Sequence, residues 1–422
     1  MPTVKFHTLG CKANQYDTQS IRECFLEHGF REAPGRKKAD IYLINTCTVT
    51  AIADQKSAKV IRSCINENSG AKVIVTGCMV QEDSRALAKI KGINFIISKS
   101  FFSEGISAFS AHTRAFLKVQ DGCDNFCAYC KVPLVRGRSR SRPLEEIIQE
   151  AKVLVKNGFK EIVLTGICLG SYGKDLKKGD ASKNGDAATF LKSDVRKVAA
   201  SPLVKLIEEL EQIEGLLRIR LSSIEAGDVS SGLIEKIKKS RKLCRHLHIP
   251  IQSGDNGILE KMNRQYTRES YLRLISRIKR IVPFISITTD IIVGFPGESE
   301  QGFKNTVKLL KEVVPLRTHI FPYSPRPGTK AYLLGNPVNP LIIRRRVEAL
   351  KCITEKLAQS YRKKFLKKEL DVLFEGDCRI YPGFLTGYSS NYLKVITRAR
   401  PGIVNQLISL QAKGIAKDYL TA

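Results

Sequence analysis

Apolar residues recur along the first 110 positions in two alternating rhythms. In TVKFHTLG, DIYLINTC and AKVIVTGC they crowd into short runs closed by polar or glycine positions, which predicts buried strands. Between these runs, YDTQSIRECFLEHGF, AIADQKSAKVIRSCINEN and VQEDSRALAKI carry apolar residues three and four apart. That spacing predicts amphipathic helices, the first ending near Gly29. Strand alternating with helix predicts a mainly parallel sheet with right-handed crossovers.

A linker around Ser103–Arg114 leads to a second series. AFLKVQDG, EIVLTGI, LLRIRLSSI, HLHIPIQS, ISITTDIIVGF and THIFPYS are candidate strands, separated by amphipathic stretches such as RPLEEIIQEAKVLVKNG and SPLVKLIEELEQIEG. Six repeated βα units predict a partial TIM-type barrel, because closure takes eight. Residues 174–198 are polar, rich in Gly, Asp and Lys, and without period, which predicts a surface insertion in a βα loop. A basic helical pattern, LIIRRRVEALKCITEKLAQSYRKKFLKKEL, follows the barrel; a solvated face and a nucleic-acid backbone contact are its two readings. From about Leu366, DVLFEG, FLTGYSSNYLKVIT and QLISLQAKGI read as short strands with turn signals, a small all-β module. The fold class is therefore α/β multidomain, divided at 1–110, 111–365 and 366–422: a parallel α/β domain, a partial (β/α)6 barrel and a small β-barrel-like module.

Composition narrows the function classes. None of the 422 residues falls in an apolar run near the roughly 18 needed to span a membrane. The opening MPTVKFHTLGCK is neither a signal nor a transit peptide, which sets the expectation of a cytoplasmic protein. Twelve cysteines in a reducing compartment favour metal or redox chemistry over disulfides. Cys24, Cys64, Cys168, Cys244, Cys352 and Cys378 are scattered and read as small buried hydrophobes. The formal net charge of +29 predicts a polyanionic partner, with nucleic acid ahead of an acidic membrane surface.

Two sets of three cysteines carry the chemistry. Cys123, Cys127 and Cys130 lie in DGCDNFCAYCKVP, on the loop that leaves the first barrel strand, at the face where such barrels hold their sites. Four-iron clusters normally take four cysteines, so three leave one iron open to a small chelating ligand. A zinc ion completed by a distant fourth ligand is the competing reading. Cys11, Cys47 and Cys78 each follow the carboxyl end of a predicted parallel strand, the edge at which open sheets bind ligands. They read as a second three-thiolate site, against the alternative of three buried structural cysteines.

In TLGCKANQYDTQ, NTCTVT, TGCMVQ, DGCDNFCAYC, HIPIQSGDNGILEKMNRQYT, TTDIIVGFPGE and FPYSPRPGT, taken in order, the whole chain resembles the radical S-adenosylmethionine methylthiotransferases, and its terminal module resembles a TRAM domain. The resemblance implies two 4Fe-4S clusters. The one on Cys123, Cys127 and Cys130 would bind and reductively cleave S-adenosylmethionine to a 5′-deoxyadenosyl radical. The one on Cys11, Cys47 and Cys78 would be the platform for the inserted sulfur, with a second S-adenosylmethionine giving the methyl group. S-adenosylmethionine contacts are expected from Thr165 and Gly166, from Ser222, Ser223 and Glu225, and from Gln252, each at a barrel-strand end. An ordinary turn or helix cap is the plain alternative at these positions. Gly294 and Gly297 are expected to shape a tight turn that also approaches the cofactor. No catalytic side chain beyond the cluster ligands is implied.

The form TLGCKANQYDT resembles the branch acting on C2 of N6-threonylcarbamoyladenosine at position 37 of tRNA, next to the anticodon. The isopentenyladenosine branch tends to carry GCQMN, absent here. Competing readings are methylthiolation of a ribosomal-protein aspartate or of tRNA isopentenyladenosine, and a non-enzymatic RNA-binding iron–sulfur protein. The partners implied are tRNA, a reductant such as a flavodoxin or ferredoxin, and a sulfur donor, with no membrane.

Overall fold

The computed structural model of the chain describes residues 1–35, 37–102, 105–109, 113–176 and 201–422. Most of the expected insertion at 174–198, and part of the expected linker at 103–114, lie outside the described residues.

The first layer is a parallel sheet whose central strands are β1 (Thr3–Thr8), β2 (Ile41–Thr46) and β3 (Lys72–Gly77). Two-residue strands, Arg31–Glu32 and Phe95–Ile96, flank them in the order Arg31–Glu32, β1, β2, β3, Phe95–Ile96. Neither edge strand is long enough to give a readable pattern. Helices α1 (Lys12–Glu27), α2 (Ala51–Glu67) and α3 (Cys78–Ala88) connect the strands. Helix α1 begins at Lys12, earlier than the hydrophobic rhythm implies. Its first turn is polar yet buried, because the Asn14 amide donates to Leu9 O (2.7 Å) and Thr46 O (2.9 Å) and so ties the helix start to two strand ends.

Six strands form the second layer: β4 (Arg114–Lys118), β5 (Glu161–Thr165), β6 (Arg218–Leu221), β7 (His246–His248), β8 (Ser286–Val293) and β9 (Arg317–Pro322). They pair in parallel as β4-β5-β6 and β7-β8-β9, and isolated bridges Ile219↔Leu243 and Ser223↔His248 join the two halves. Among the described residues β4 and β9 do not pair, so the barrel is open along one side. Helices α4 (Val132–Arg136), α5 (Leu144–Lys156), α6 (Pro202–Glu211), α7 (Ser231–Lys239), α8 (Asn256–Lys261), α9 (Arg268–Ile281) and α10 (Glu300–Val313) fill the crossovers. Their apolar faces, including Ile147, Leu154, Leu206, Leu210, Ile234 and Ile278, pack with the strand residues into the largest core.

The first layer sits against the open side. Lys118 of β4 pairs with Asp17 of α1 at 2.6 Å, and Tyr16 of α1 donates to Glu150 of α5 at 2.9 Å. Beyond β9, Arg326 reaches Asp54 of α2 (2.5 Å) and Thr48 (2.7 Å).

Helix α11 (Pro340–Lys363) leads to a six-stranded sheet of β10 (Glu369–Asp377), β11 (Phe384–Ser389), β12 (Lys394–Arg398), β13 (Leu407–Gln411), β14 (Gly414–Ala416) and β15 (Tyr419–Thr421), ordered β13-β10-β11-β12-β15-β14. Part of the basic charge on α11 is spent internally: Arg346 is buried against Glu298 at 2.8 Å. The C-terminal sheet docks at the amino ends of the barrel strands. There Glu161 is fully buried and faces Arg220 at 2.7 Å, Arg218 at 3.7 Å and Arg114 at 3.8 Å. The arginines continue into the sheet, Arg218 donating to Tyr388 O and Arg220 to Ser389 O and Ser390 O, while Arg114 pairs with Glu375.

Burial alone would raise the Glu161 carboxyl, but Arg220, Arg114 and Arg218 hold it below its ordinary value. With the folded value depressed, this stabilisation is complete at neutral pH and is lost as pH falls through the folded value. Glu161→Gln leaves three guanidiniums at this junction short of a counter-charge, and such a loss costs about 3–5 kcal/mol. We expect a lower denaturation midpoint and faster proteolytic release of the C-terminal sheet, measured by denaturant titration and limited digestion. An unchanged midpoint contradicts a structural role for this carboxylate.

Candidate active site

The loop after β4 is bent by backbone geometry. Gly122 has φ +72°, and a Cβ there would meet Arg138 O at 1.9 Å, so only glycine lets the chain fold this tightly. Gln120 locks the turn from beneath: its amide donates to Asp121 O (2.9 Å) and Gly122 O (2.7 Å), and its oxygen accepts from Cys168 N at 2.9 Å. Downstream, Ala128 N donates to Met262 O (2.9 Å) and Ala331 N donates to Ala128 O (2.7 Å). The Asn263 amide donates to Phe126 O at 3.1 Å. A loop fixed at this many points presents Cys123, Cys127 and Cys130 in one defined arrangement.

Each of these thiols has its own partner. Arg264 Nη1 donates to Cys127 Sγ at 3.1 Å and also pairs with Glu225, while Val132 N donates to Cys130 Sγ at 3.4 Å. Burial pushes Cys130 up to about 12. Cys123 moves the other way, chiefly through a hydrogen bond from the Cys168 thiol. The sequence reading counts Cys168 among the scattered cysteines. The structure instead places it beside Cys123, bonded also to Ser171 Oγ at 3.2 Å. Its only sequence signal was its position just past the end of a barrel strand.

The second triad is built on the carboxyl edge of the first sheet. Gly10, at φ +105°, turns the chain out of β1; a Cβ there would meet Cys47 Cβ at 2.9 Å and Cys47 Sγ at 3.0 Å. Gly77, at φ +99°, turns the chain from β3 into α3, whose first residue is Cys78. Cys47 is fixed by exchange with Ser57, whose hydroxyl donates to Cys47 O (3.1 Å) and accepts from Cys47 N (3.3 Å). Burial pushes the Cys47 thiol up to about 11, with smaller contributions from Cys78 and Cys11. Burial also raises Cys78, opposed by the Arg136 guanidinium at 3.4 Å.

Arg136 joins the two triads. It ends α4, the short helix leaving the Cys130 turn, and its guanidinium makes two bonds to Asp121 (2.8 and 3.0 Å), one to Asp17 (3.2 Å) and one to Asn14. A second clasp runs from Lys131, next to Cys130, to Glu82 of α3, which also bonds Thr48, next to Cys47. Arg326 donates to Thr48 and pairs with Glu82 at 3.3 Å. Side chains next to the two triads are therefore bonded to one another across the two layers.

The donor sets suit clusters better than single ions. Tetrahedral zinc with 2.3 Å Zn–S bonds brings thiolates to within about 4 Å of one another. Among the described residues only His248, Asp290 and His319 offer three ligand atoms within 4.8 Å, and neither cysteine triad is so tight. Both ring nitrogens of His248 are engaged inside the protein, with Thr288 Oγ1 (2.9 Å) and Asp290 (3.1 Å).

The expected cofactor contacts divide by position. Ser222 Oγ, just past β6, is buried with no hydrogen-bond partner, which fits an incoming polar ligand. Glu225 is held by Arg264 and lines a second cavity with Cys127. Gln252, at φ +63°, lines a cavity of about 220 Å³ with Tyr129, Cys130, Asp290, Phe321 and Tyr323. Thr165 instead bonds back to Val163 O at 3.2 Å, and Gly166 packs against Gln120. Gly294 takes φ +79° where a Cβ would strike Ile343 of α11 at 2.4 Å, so its turn makes room for that helix; the Gly297 turn lies against Lys261.

Residues 117–310 match the Radical SAM superfamily, and residues 3–98 match a family described as uncharacterized protein family UPF0004. Threonylcarbamoyladenosine tRNA methylthiotransferase MtaB of Bacillus subtilis is 35% identical over 444 residues, covering 97% of this chain and 94% of the relative. The tRNA-2-methylthio-N(6)-dimethylallyladenosine synthase of Clostridium tetani is 35% identical over 419 residues, covering 91% and 88%. Among solved structures, the radical S-adenosylmethionine methyltransferase TsrM from Kitasatospora setae, with cobalamin and a 4Fe-4S cluster bound, shares the fold. Its TM-score is 0.52 at 13% identity, over 78% of this chain and 76% of that one.

The Gly10 contact yields a direct test of the second triad. In Gly10→Ala the added methyl group must displace Cys47 or the backbone before Cys11, on a chain already at positive φ. Anaerobic reconstitution should then load about four irons per chain instead of the roughly eight of two four-iron clusters. Retention of the full complement would show that Cys11 and Cys47 do not share a cluster.

Proposed function

The chain belongs to the radical S-adenosylmethionine tRNA methylthiotransferase family, and we propose that it replaces C–H by C–SCH3 at C2 of N6-threonylcarbamoyladenosine, at position 37 of tRNA. The observation that carries this reading is that Arg136 ties Cys78 of one triad to Asp121 on the loop that bears the other. An RNA-binding protein with structural clusters would not need two incomplete sites facing each other. The substrate assignment draws on the resemblance of TLGCKANQYDT to the threonylcarbamoyladenosine branch and on the name of the Bacillus subtilis relative.

Cys123, Cys127 and Cys130 would hold one 4Fe-4S cluster, and Cys11, Cys47 and Cys78 the other. When bound, the clusters and S-adenosylmethionine supply one-electron reductive chemistry, the inserted sulfur and the methyl group. The protein's part is to bind, orient and exclude water. Arg264 and Arg136 each place a buried guanidinium beside a thiolate, offsetting its charge. Ser222 and Glu225 are the polar groups nearest to hand for S-adenosylmethionine on the barrel side, with Gln252, Thr165 and Gly166 at neighbouring strand ends. Tyr129, Ile292, Phe321 and Tyr323 give the cavity apolar walls.

The units 1–110, 111–365 and 366–422 take the roles of sulfur platform, radical generator and TRAM-like RNA-binding module. A net charge of +29 favours tRNA association. No helix of the described residues is long and apolar enough to cross a membrane. The reaction calls for a reductant such as a flavodoxin or ferredoxin and for a sulfur donor, and cytoplasmic tRNA is the natural setting.

The test is anaerobic reconstitution followed by reaction with S-adenosylmethionine and tRNA bearing threonylcarbamoyladenosine, with mass spectrometry of the nucleosides. The methylthio product is expected. Changing Cys123, Cys127 and Cys130 to Ala should abolish S-adenosylmethionine cleavage. Changing Cys11, Cys47 and Cys78 should spare cleavage and stop sulfur insertion. Activity on a ribosomal protein with no modified nucleoside would overturn the substrate assignment.

A further inference from the structure

We propose that the floor of the cleft is a carboxylate subsite, in which Lys12 and Arg317 bind the acidic end of the substituent on the target adenine. This rests on the threonylcarbamoyladenosine reading and deepens it by naming the residues that recognise the amino-acid part.

Strand β9 lays out the path. Arg317, His319 and Phe321 alternate along it and so share one face. Phe321 belongs to the cavity that Cys130 lines, and its ring stacks with that of His319 at 6.5 Å and 30°. Such a wall suits a nucleobase. Four residues deeper, about 13 Å at roughly 3.3 Å per residue, lies Arg317. There Tyr392, in the turn between β11 and β12, has Arg220 at 4.6 Å, Arg317 at 5.5 Å and Arg114 at 5.8 Å from its ring.

Charge at the floor is unbalanced. Arg220 and Arg114 are matched by Glu161 and Glu375. Arg317 and Lys12 have no directly bonded anion: among the described residues neither has a hydrogen bond or ion pair, only ring contacts, Arg317 with Tyr392 and Lys12 with Phe116 at 5.7 Å. The Lys12 ammonium, on the residue after Cys11, lies within electrostatic reach of Tyr392, Arg114, Arg220, His319 and Glu161, and that one carboxylate is shared with Arg114, Arg218 and Arg220. Asp290, the carboxylate nearest His319, is already engaged by His248. Two part-buried cations without a directly bonded anion favour a ligand that supplies one. A nucleotide entering base-first brings its base substituent to this depth and leaves its phosphates outside. The threonylcarbamoyl group ends in a free carboxylate, which matches the pair.

The experiment compares two anticodon stem-loops, one with threonylcarbamoyladenosine and one with its carboxylate converted to a neutral carboxamide. Binding and kcat/KM for methylthiolation are measured, with iron content checked for every variant. The wild-type chain should favour the acid by roughly 10- to 100-fold, the loss expected when charge-assisted hydrogen bonds go unmade. In Lys12→Gln combined with Arg317→Gln the preference should fall to within about threefold, while Lys12→Arg should keep most of it. A wild-type chain indifferent to the carboxylate, or an iron-replete double variant that still prefers the acid, overturns the subsite while leaving the function reading intact. Failure of the wild type to methylthiolate the acid stem-loop, with activity on another substrate, overturns both.

Discussion

One buried guanidinium, that of Arg136, holds the architecture of the cleft. It stands 3.4 Å from Cys78 and bonds Asp121 on the barrel loop together with Asp17 and Asn14 on α1. A buried arginine is tolerable only when fully paired, and its partners here come from both layers. Satisfying Arg136 therefore requires the first sheet to dock on the open side of the barrel in one register. That docking brings the carboxyl edges of two parallel sheets, each carrying three thiols, onto the same space. The Lys131–Glu82–Thr48 chain, with Arg326 added, repeats the same logic on the other side of the triads.

The opposite end of the barrel follows a similar rule. Glu161 is surrounded by Arg114, Arg218 and Arg220, and those arginines reach on to backbone carbonyls of the C-terminal sheet. The barrel interior is thus sealed below by a satisfied ionic plug and Tyr392, and open above toward the thiols. Lys12 and Arg317, near that plug, carry no directly bonded anion among the described residues. Positive charge that is a bulk property of the sequence has local assignments: some closes the barrel and some clasps layers.

Much of this was legible in the chain itself. Parallel pairing and the positions of Cys11, Cys47 and Cys78 just past strand ends followed from strand–helix alternation and from short apolar runs ending in Gly-Cys or Thr-Cys. What escaped was carried by polar residues acting at long range. The early start of α1 depends on Asn14 reaching Leu9 and Thr46, which hydrophobic periodicity cannot register. Gln120, Cys168 and Arg136 are unremarkable in their local segments, and their roles arise only when strands distant in sequence are brought together. The two-residue edge strands were likewise hidden, since a bridge of one or two residues leaves no pattern, whereas the unclosed barrel was expected from its six βα units.

The central claim is that both triads carry clusters facing one cleft. Electron paramagnetic resonance of the reduced, fully loaded chain tests it most directly, read against a chain with Cys11, Cys47 and Cys78 changed to Ala. Two paramagnetic clusters held together by Arg136 should interact, so the first cluster's signal should broaden and relax faster when the second is present. Identical spectra and relaxation in the two chains, with full iron in the first, would contradict the account.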